Sequence, residues 1–459
     1  MKTAIISLGT VIFSVALLII GCGKKQPASS WSLDKSGVSA QLKQFVAAQE
    51  AQARALAEQE GKKLPSDFDA FYKAAGTGNW QDATNLFERM SKSVRKDSSL
   101  RGSWWQATMD AYGVFEMFPP GDKYATAFGS DIIQSIPDGS IYFGGTDPGR
   151  FVVTAMMESH ADGKPFFMLS QNPLADGKYL EYLRSMYAGK IYTPTDEDSQ
   201  KSFQDFTEDV TRRQQTHQLK PGEDVHVDGN GRVQISGQMA VEEINALLTK
   251  TIFNKNPDRE FYIEESFPQD WMYPNLEPHG LIMKIDRQPL AALSDEIVSS
   301  DSDYWTKYIT PLIGGWLNND TPVGEVANFA EKVYAKKDLS GFTGDPQFVQ
   351  NENACNMFSK LRSSIAGLYA WRVQHAADAD EKKRMNDAAD FAFRQSWALC
   401  PYSPETVFRY VNFLLSAGRT ADAILIAETA VKMPQVKGRD SERQFSSLAK
   451  QLKQYQNKK

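Results

Sequence analysis

Apolar and polar positions change their spacing several times along this chain, and each change predicts an element. From Ala4 to Ile20 the residues are almost continuously apolar, whereas residues 24–37 are polar and rich in Lys, Ser and Gly. Leu42, Phe45, Val46, Ala53 and Leu56 then recur at helical spacing in an Ala- and Gln-rich stretch, which predicts a solvated helix over 38–60, read as a spacer. Residues 66–92 predict a helical hairpin broken at Gly78-Asn79. The pattern then shifts. Short runs rich in aromatic and β-branched residues at 140–143, 165–169, 260–264 and 281–285 predict strands, with helices at 150–159, 178–186, 197–213 and 241–254 between them. Val225, Val227, Val233 and Ile235 alternate about Asp228-Gly229-Asn230-Gly231, which predicts a β-hairpin. Helical spacing returns at 356–376, 404–417 and 420–432, and the acidic-basic run from Asp378 to Arg384 reads as a lengthened turn. Strands alternating with helices predict an α/β central domain over 125–340. Its sheet is expected to be mostly parallel, Rossmann-like and covered on both faces, with α-helical segments on either side.

The first apolar run carries one cation before it, Lys2, is short for a membrane span, and closes in Leu18-Ile19-Ile20-Gly21-Cys22-Gly23. This string resembles the lipobox of bacterial lipoproteins. The resemblance implies a signal peptide over 1–21, lipidation of Cys22, and a body held by acyl chains outside the cytoplasm, with 22–37 as tether. Gly23 stands where some Gram-negative lipoproteins carry an inner-membrane retention Asp, so the outer membrane is the mild expectation. An uncleaved anchor helix is the alternative.

The helical regions carry a second resemblance. Phe71, Gly78, Ala83 and Phe87 in 38–124 stand at tetratricopeptide spacing, and Ala389, Phe393, Ser396 and Pro401 repeat it within 350–459. Ala423, Ala427 and Ala430 follow at an offset of 34 residues, with Gly418 at the turn and Pro434 near the end. Stacked repeats of this kind present a concave face to a protein partner, or cap a neighbouring domain.

Net charge of −6 over 459 residues, with Lys and Arg scattered, excludes a nucleic-acid surface. The five histidines are far apart and belong to no metal or catalytic motif, so no cofactor is expected. Cys355 and Cys400 suit either a disulfide or two packed thiols.

The candidate site follows the first strand, where Gly144-Gly145-Thr146-Asp147-Pro148-Gly149-Arg150 leads into a helix. Free backbone N–H groups at such a turn bind anions, and the polar loop at Gln171 and Asn172 after the second strand would share its edge. The other reading is a tight turn capped by Asp147. Glu264, Glu265 and Asp270, near Trp271 and Tyr273, are a weaker pair-of-acids candidate for glycoside chemistry. Trp104, Trp105, Tyr112, Phe115 and Phe118 read as a core stripe.

The run that opens Pro137-Asp138-Gly139-Ser140-Ile141-Tyr142-Phe143-Gly144-Gly145-Thr146-Asp147 and extends to about residue 339, with Phe261-Tyr262-Ile263 and His279-Gly280-Leu281-Ile282, resembles a known domain. It is similar to the soluble extracytoplasmic α/β domain of bacterial mannosyltransferase-like membrane proteins of unknown function, which often end in tetratricopeptide-like repeats. The resemblance implies a glycan or sugar phosphate as the ligand class, with a ligand-binding role for Asp147. Glycosyl transfer is ascribed in that family to the multi-helix membrane part, which has no counterpart here, so transferase activity is not carried over. Two functions follow as expectations: a non-catalytic cell-envelope scaffold binding a protein partner through its repeats, or a carbohydrate-active protein using the 144–150 loop.

Overall fold

The computed structural model describes residues 40–117, 122–219, 224–227, 233–236, 238–264 and 269–457. The lipobox with Cys22, the tether, Phe118, Glu265 and the turn at 228–232 lie outside them. By internal contact the chain forms two compact units interleaved in sequence, one from residues up to 123 with 150–259, the other from 124–149 with 260–459. Residues of the 125–340 segment are thus shared between both.

The chain enters the first unit with four helices: α1 Ala40–Gln59, α2 Phe68–Gly76, α3 Trp80–Lys96 and α4 Trp104–Met117. It passes into the second unit for α5 Lys123–Ser135 and β1 Ile141–Gly144. After a π-helical turn at Pro148–Val152 it continues in the first with α6 Val153–Met156, β2 Phe167–Ser170, α7 Gly177–Tyr187 and α8 Asp196–Gln215. The hairpin β3 Asp224–Val227 and β4 Val233–Ser236 and helix α9 Gln238–Lys255 complete that unit. The remaining elements belong to the second: β5 Phe261–Ile263, β6 Leu276–His279, β7 Ile282–Ile285, α10 Asp295–Ile313 and α11 Val323–Ala330. They end in α12 Glu352–His375, α13 Ala379–Leu399, α14 Pro404–Ser416, α15 Thr420–Val431 and α16 Asp440–Gln456. Helix dominates, and the protein is only partly α/β. No described helix is long and apolar enough to cross a membrane.

In the first unit the expected spacer is a core element. Leu42, Phe45, Val46, Ala53 and Leu56 are all buried and α1 packs on α4. A single apolar stripe on an otherwise polar helix suffices when a second helix covers it. The hairpin at 66–92 is present: Gly78 takes φ 73°, the Asn79 side chain accepts the Asp82 N–H, and Phe71 and Ala83 are fully buried between α2 and α3. Trp104, Tyr112 and Phe115 are core. β3 and β4 pair antiparallel, as the expected hairpin requires, and Val225 packs with Phe206 and Val210 of α8.

In the second unit the strands run β1-β5-β7-β6. The mostly parallel sheet expected from the alternation is corrected here to a mixed one: β1 and β5 are parallel, while β5–β7 and β7–β6 are antiparallel. The reason is connection length. β6 and β7 are joined through Gly280, at φ 61°, and Leu281, too short for the crossover that parallel neighbours need. The helix expected at 150–159 is cut to the π-helical turn and α6. The expected lengthened turn at 378–384 is also corrected: Asp378 caps α13 by accepting the Glu381 N–H, and Asp380 and Glu381 suit that helix's positive end. The C-terminal helices form the expected antiparallel hairpins, and Ala389, Ser396, Ala423, Ala427 and Ala430 sit with no exposure where helices meet. Cys355 and Cys400 are free, buried thiols, and burial pushes Cys355 up to about 12.

Candidate functional site

The 144–150 loop leaves the carboxyl end of β1. Because β5 lies parallel beside it, the residue that follows β5 emerges at the same edge. That residue is Glu264, whose own N–H continues the pairing by donating to the Phe143 carbonyl at 3.0 Å. Its side chain turns into the loop. Oε2 accepts the Gly145 N–H at 2.9 Å and the Thr146 N–H at 2.8 Å, and Oε1 accepts the Thr146 hydroxyl. The amides that the sequence offers to an external anion are therefore held by an internal carboxylate, 1% exposed. Gly149 completes the seat, since a Cβ there would lie 2.1 Å from the Glu264 carboxyl carbon. Burial raises the Glu264 carboxyl above its ordinary range, and the three donated hydrogen bonds act in the opposite sense.

The helix cap also differs from expectation. Thr146 Oγ1, not Asp147, accepts the Gly149 N–H at 3.1 Å, and Asp147 is exposed. Gly144 closes the strand and is buried.

Arg150 belongs to the first unit. There its guanidinium donates to Asp110 Oδ1 at 2.6 Å, with Tyr182 donating to Asp110 Oδ2 at 2.7 Å and Gln49 bridging toward His160 at 3.1 Å. Asp110, Tyr182, Gln49 and His160 are buried together and Arg150 is partly buried, and burial lowers His160 below its usual range. In the same unit Gln171 is buried and Asn172 exposed, and Asn245 of α9 ties their loop by bonding the Asn172 carbonyl and the Ala175 N–H, each at 2.7 Å. Among the described residues no group of His, Cys, Asp and Glu could hold a metal ion.

Comparison with protein-family models, with curated proteins and with solved structures finds no match.

Two surfaces in the second unit lie outside the sequence-based candidates. One is a cleft of about 880 Å³ between α10 and α13, lined by seven aspartates and five lysine or arginine side chains. At its floor, Asp301 Oδ2 accepts from Arg362 Nη1 at 2.7 Å and from the Tyr369 hydroxyl at 2.8 Å. Arg362 also donates to Gln395 Oε1 at 2.8 Å and lies 5.2 Å from the Trp305 ring. On the wall, Asp390 Oδ1 accepts from Tyr410 at 2.9 Å and Arg419 at 2.8 Å, with Arg394 3.3 Å from Oδ2. The second surface is a groove of about 260 Å³ with Ser364, Gly367 and Ala370 of α12 along one side and Phe413 and Ser416 of α14 along the other. In sequence the cleft's aspartates look like solvated helix faces, and only the packing of α10 on α13 brings them together.

Proposed function

We propose that this chain is a non-catalytic, lipid-anchored cell-envelope protein whose C-terminal helical hairpins, read as tetratricopeptide-like repeats, dock a protein partner. The groove along α12 and α14 carries the reading. Its α12 wall is built of small residues three apart, so the helix backbone is open to an incoming segment, and a Cβ placed on Gly367 meets no atom within 4 Å. Phe393 and Phe413, with ring centroids 5.4 Å apart, give it an apolar base. The lipobox supports the envelope location, as does the likeness to the extracytoplasmic domain of mannosyltransferase-like proteins. The glycan or sugar-phosphate reading of the 144–150 loop stands behind this one, because Glu264 already takes the amides a phosphate would use.

The test uses cells making the full chain with a photo-crosslinking residue at Gly367 or Ser416. A discrete protein adduct at both positions, absent when the residue is moved to the exposed Lys450, is expected. Equal labelling at all three positions sinks the docking reading. Separately, Cys22→Ala is expected to release the protein from membranes, and unchanged membrane association would remove the lipid anchor.

A further inference from the structure

The cleft between α10 and α13 has a charge balance that names its ligand. Each of its five cations is already paired: Arg362 with Asp301, Lys383 with Asp387, Arg384 with Asp295, and Arg394 and Arg419 with Asp390. An incoming anion would have to displace an existing carboxylate. The spare capacity is negative, since Asp303, Asp320 and Asp380 are exposed on the rim and make no ion pair among the described residues.

The floor adds an independent observation. Asp301 is 6% exposed and lines the cleft, yet only Oδ2 is used; Oδ1 has no hydrogen-bond partner. A buried carboxylate oxygen left without a donor is costly, and the two donors that reach this side chain, Arg362 Nη1 and the Tyr369 hydroxyl, both go to Oδ2. A group carrying N–H donors and positive charge satisfies both needs, giving Oδ1 a charge-assisted hydrogen bond and compensating the rim.

We infer that the α10–α13 cleft binds an organic ammonium or guanidinium group, with Asp301 Oδ1 as acceptor at the floor and Asp303, Asp320 and Asp380 as the rim that draws it in. The volume lies in the range of sites that enclose small organic ligands. The same chemistry is carried by a free diamine and by a lysine- or arginine-bearing peptide. The site is separate from the α12–α14 groove and does not depend on its role.

The full chain in detergent is titrated with 1,5-diaminopentane, with a tetralysine peptide, with uncharged 1,5-pentanediol and with acetate, following thermal unfolding and heat of binding. Both amines are expected to raise the unfolding temperature at about millimolar concentration, since a ligand that binds only the native state stabilises it, while pentanediol and acetate do not. Asp301→Asn is expected to weaken both amines about tenfold or more, the loss of one charged hydrogen bond. In case that variant folds poorly, the surface triple Asp303→Asn, Asp320→Asn, Asp380→Asn serves as second probe and is expected to weaken the peptide about tenfold. A peptide that binds much tighter than the diamine assigns the cleft to a basic segment of a protein. Equal affinities assign it to a free amine. The inference is overturned if neither amine binds, if acetate binds instead, or if amine binding survives in both variants.

Discussion

Two carboxylates in the second unit are almost equally buried, Glu264 at 1% and Asp301 at 6%, and they are used in opposite ways. Glu264 spends both oxygens on the loop after β1, where two backbone N–H groups and a hydroxyl converge on it. Asp301 spends one oxygen on Arg362 and Tyr369 and leaves the other, itself buried, without a donor. A loop with the composition of an anion site can thus be closed from within, while a charge run with the composition of a solvated helix face can form a concave, incompletely satisfied surface. Counting hydrogen bonds at each buried oxygen distinguishes architecture from a place where a ligand has something to add.

The largest effect expected from this contrast is for Glu264→Ala. It leaves the Gly145 and Thr146 N–H groups without their acceptor and opens a void, at a cost of about 2–4 kcal/mol by urea unfolding. Acetate is expected to restore part of it by reoccupying the amides, and a loss below 1 kcal/mol would mean that Glu264 is incidental to the loop. Asp301→Asn comes next, at about 1–3 kcal/mol, because the amide oxygen can still accept from Arg362 or Tyr369 while the charge is lost. Should it cost more than Glu264→Ala, the idea that Asp301 is the less committed of the two fails. Thr146→Val removes both the hydroxyl bond to Glu264 and the Gly149 cap, for about 1–2 kcal/mol, and Thr146→Ser is expected to recover most of it.

Glu264→Gln tests the electrostatic side. Burial raises the folded carboxyl above the unfolded value of 4.5, so the fold prefers the neutral form. Its contribution to stability is then fully present below the unfolded value and is lost as pH rises through the folded one. Relative to wild type, the Gln variant is expected to gain stability with rising pH; a difference that is flat between acid and neutral pH would show that the loop's donors offset the burial. Asp147→Ala is expected to move stability by no more than about 0.5 kcal/mol, as at other exposed positions, and a larger loss would return Asp147 to the cap.

Much of the helical architecture was legible. Period and turn residues alone marked the α2–α3 hairpin, α8, α9 and the C-terminal hairpins, because an amphipathic helix advertises its buried stripe locally. The β3–β4 pairing was legible from alternation about a Gly-rich turn. The misses at α1, β6 and the anion loop share one cause. The spacer assigned to α1 failed because nothing in 38–60 reveals that α4 lies over its stripe. β6, reading Leu276-Glu277-Pro278-His279, has too little apolar alternation to register as a strand and is held by β7. The amides of the anion loop hold a carboxylate that stands 119 residues away from Gly145.

The sequence by itself determined where the α2–α3 hairpin, α8, α9, α12, α14 and α15 fall, which small residues sit where helices meet, and that the 144–149 turn offers backbone amides, because these follow from spacing and backbone chemistry within a few residues. Only the tertiary structure decided that β5 runs parallel beside β1 and so delivers Glu264 into those amides, and that α10 meets α13 so that their aspartates face one cleft. Burial and hydrogen-bond satisfaction are properties of groups brought together from distant parts of the chain, and no local pattern encodes which partner arrives.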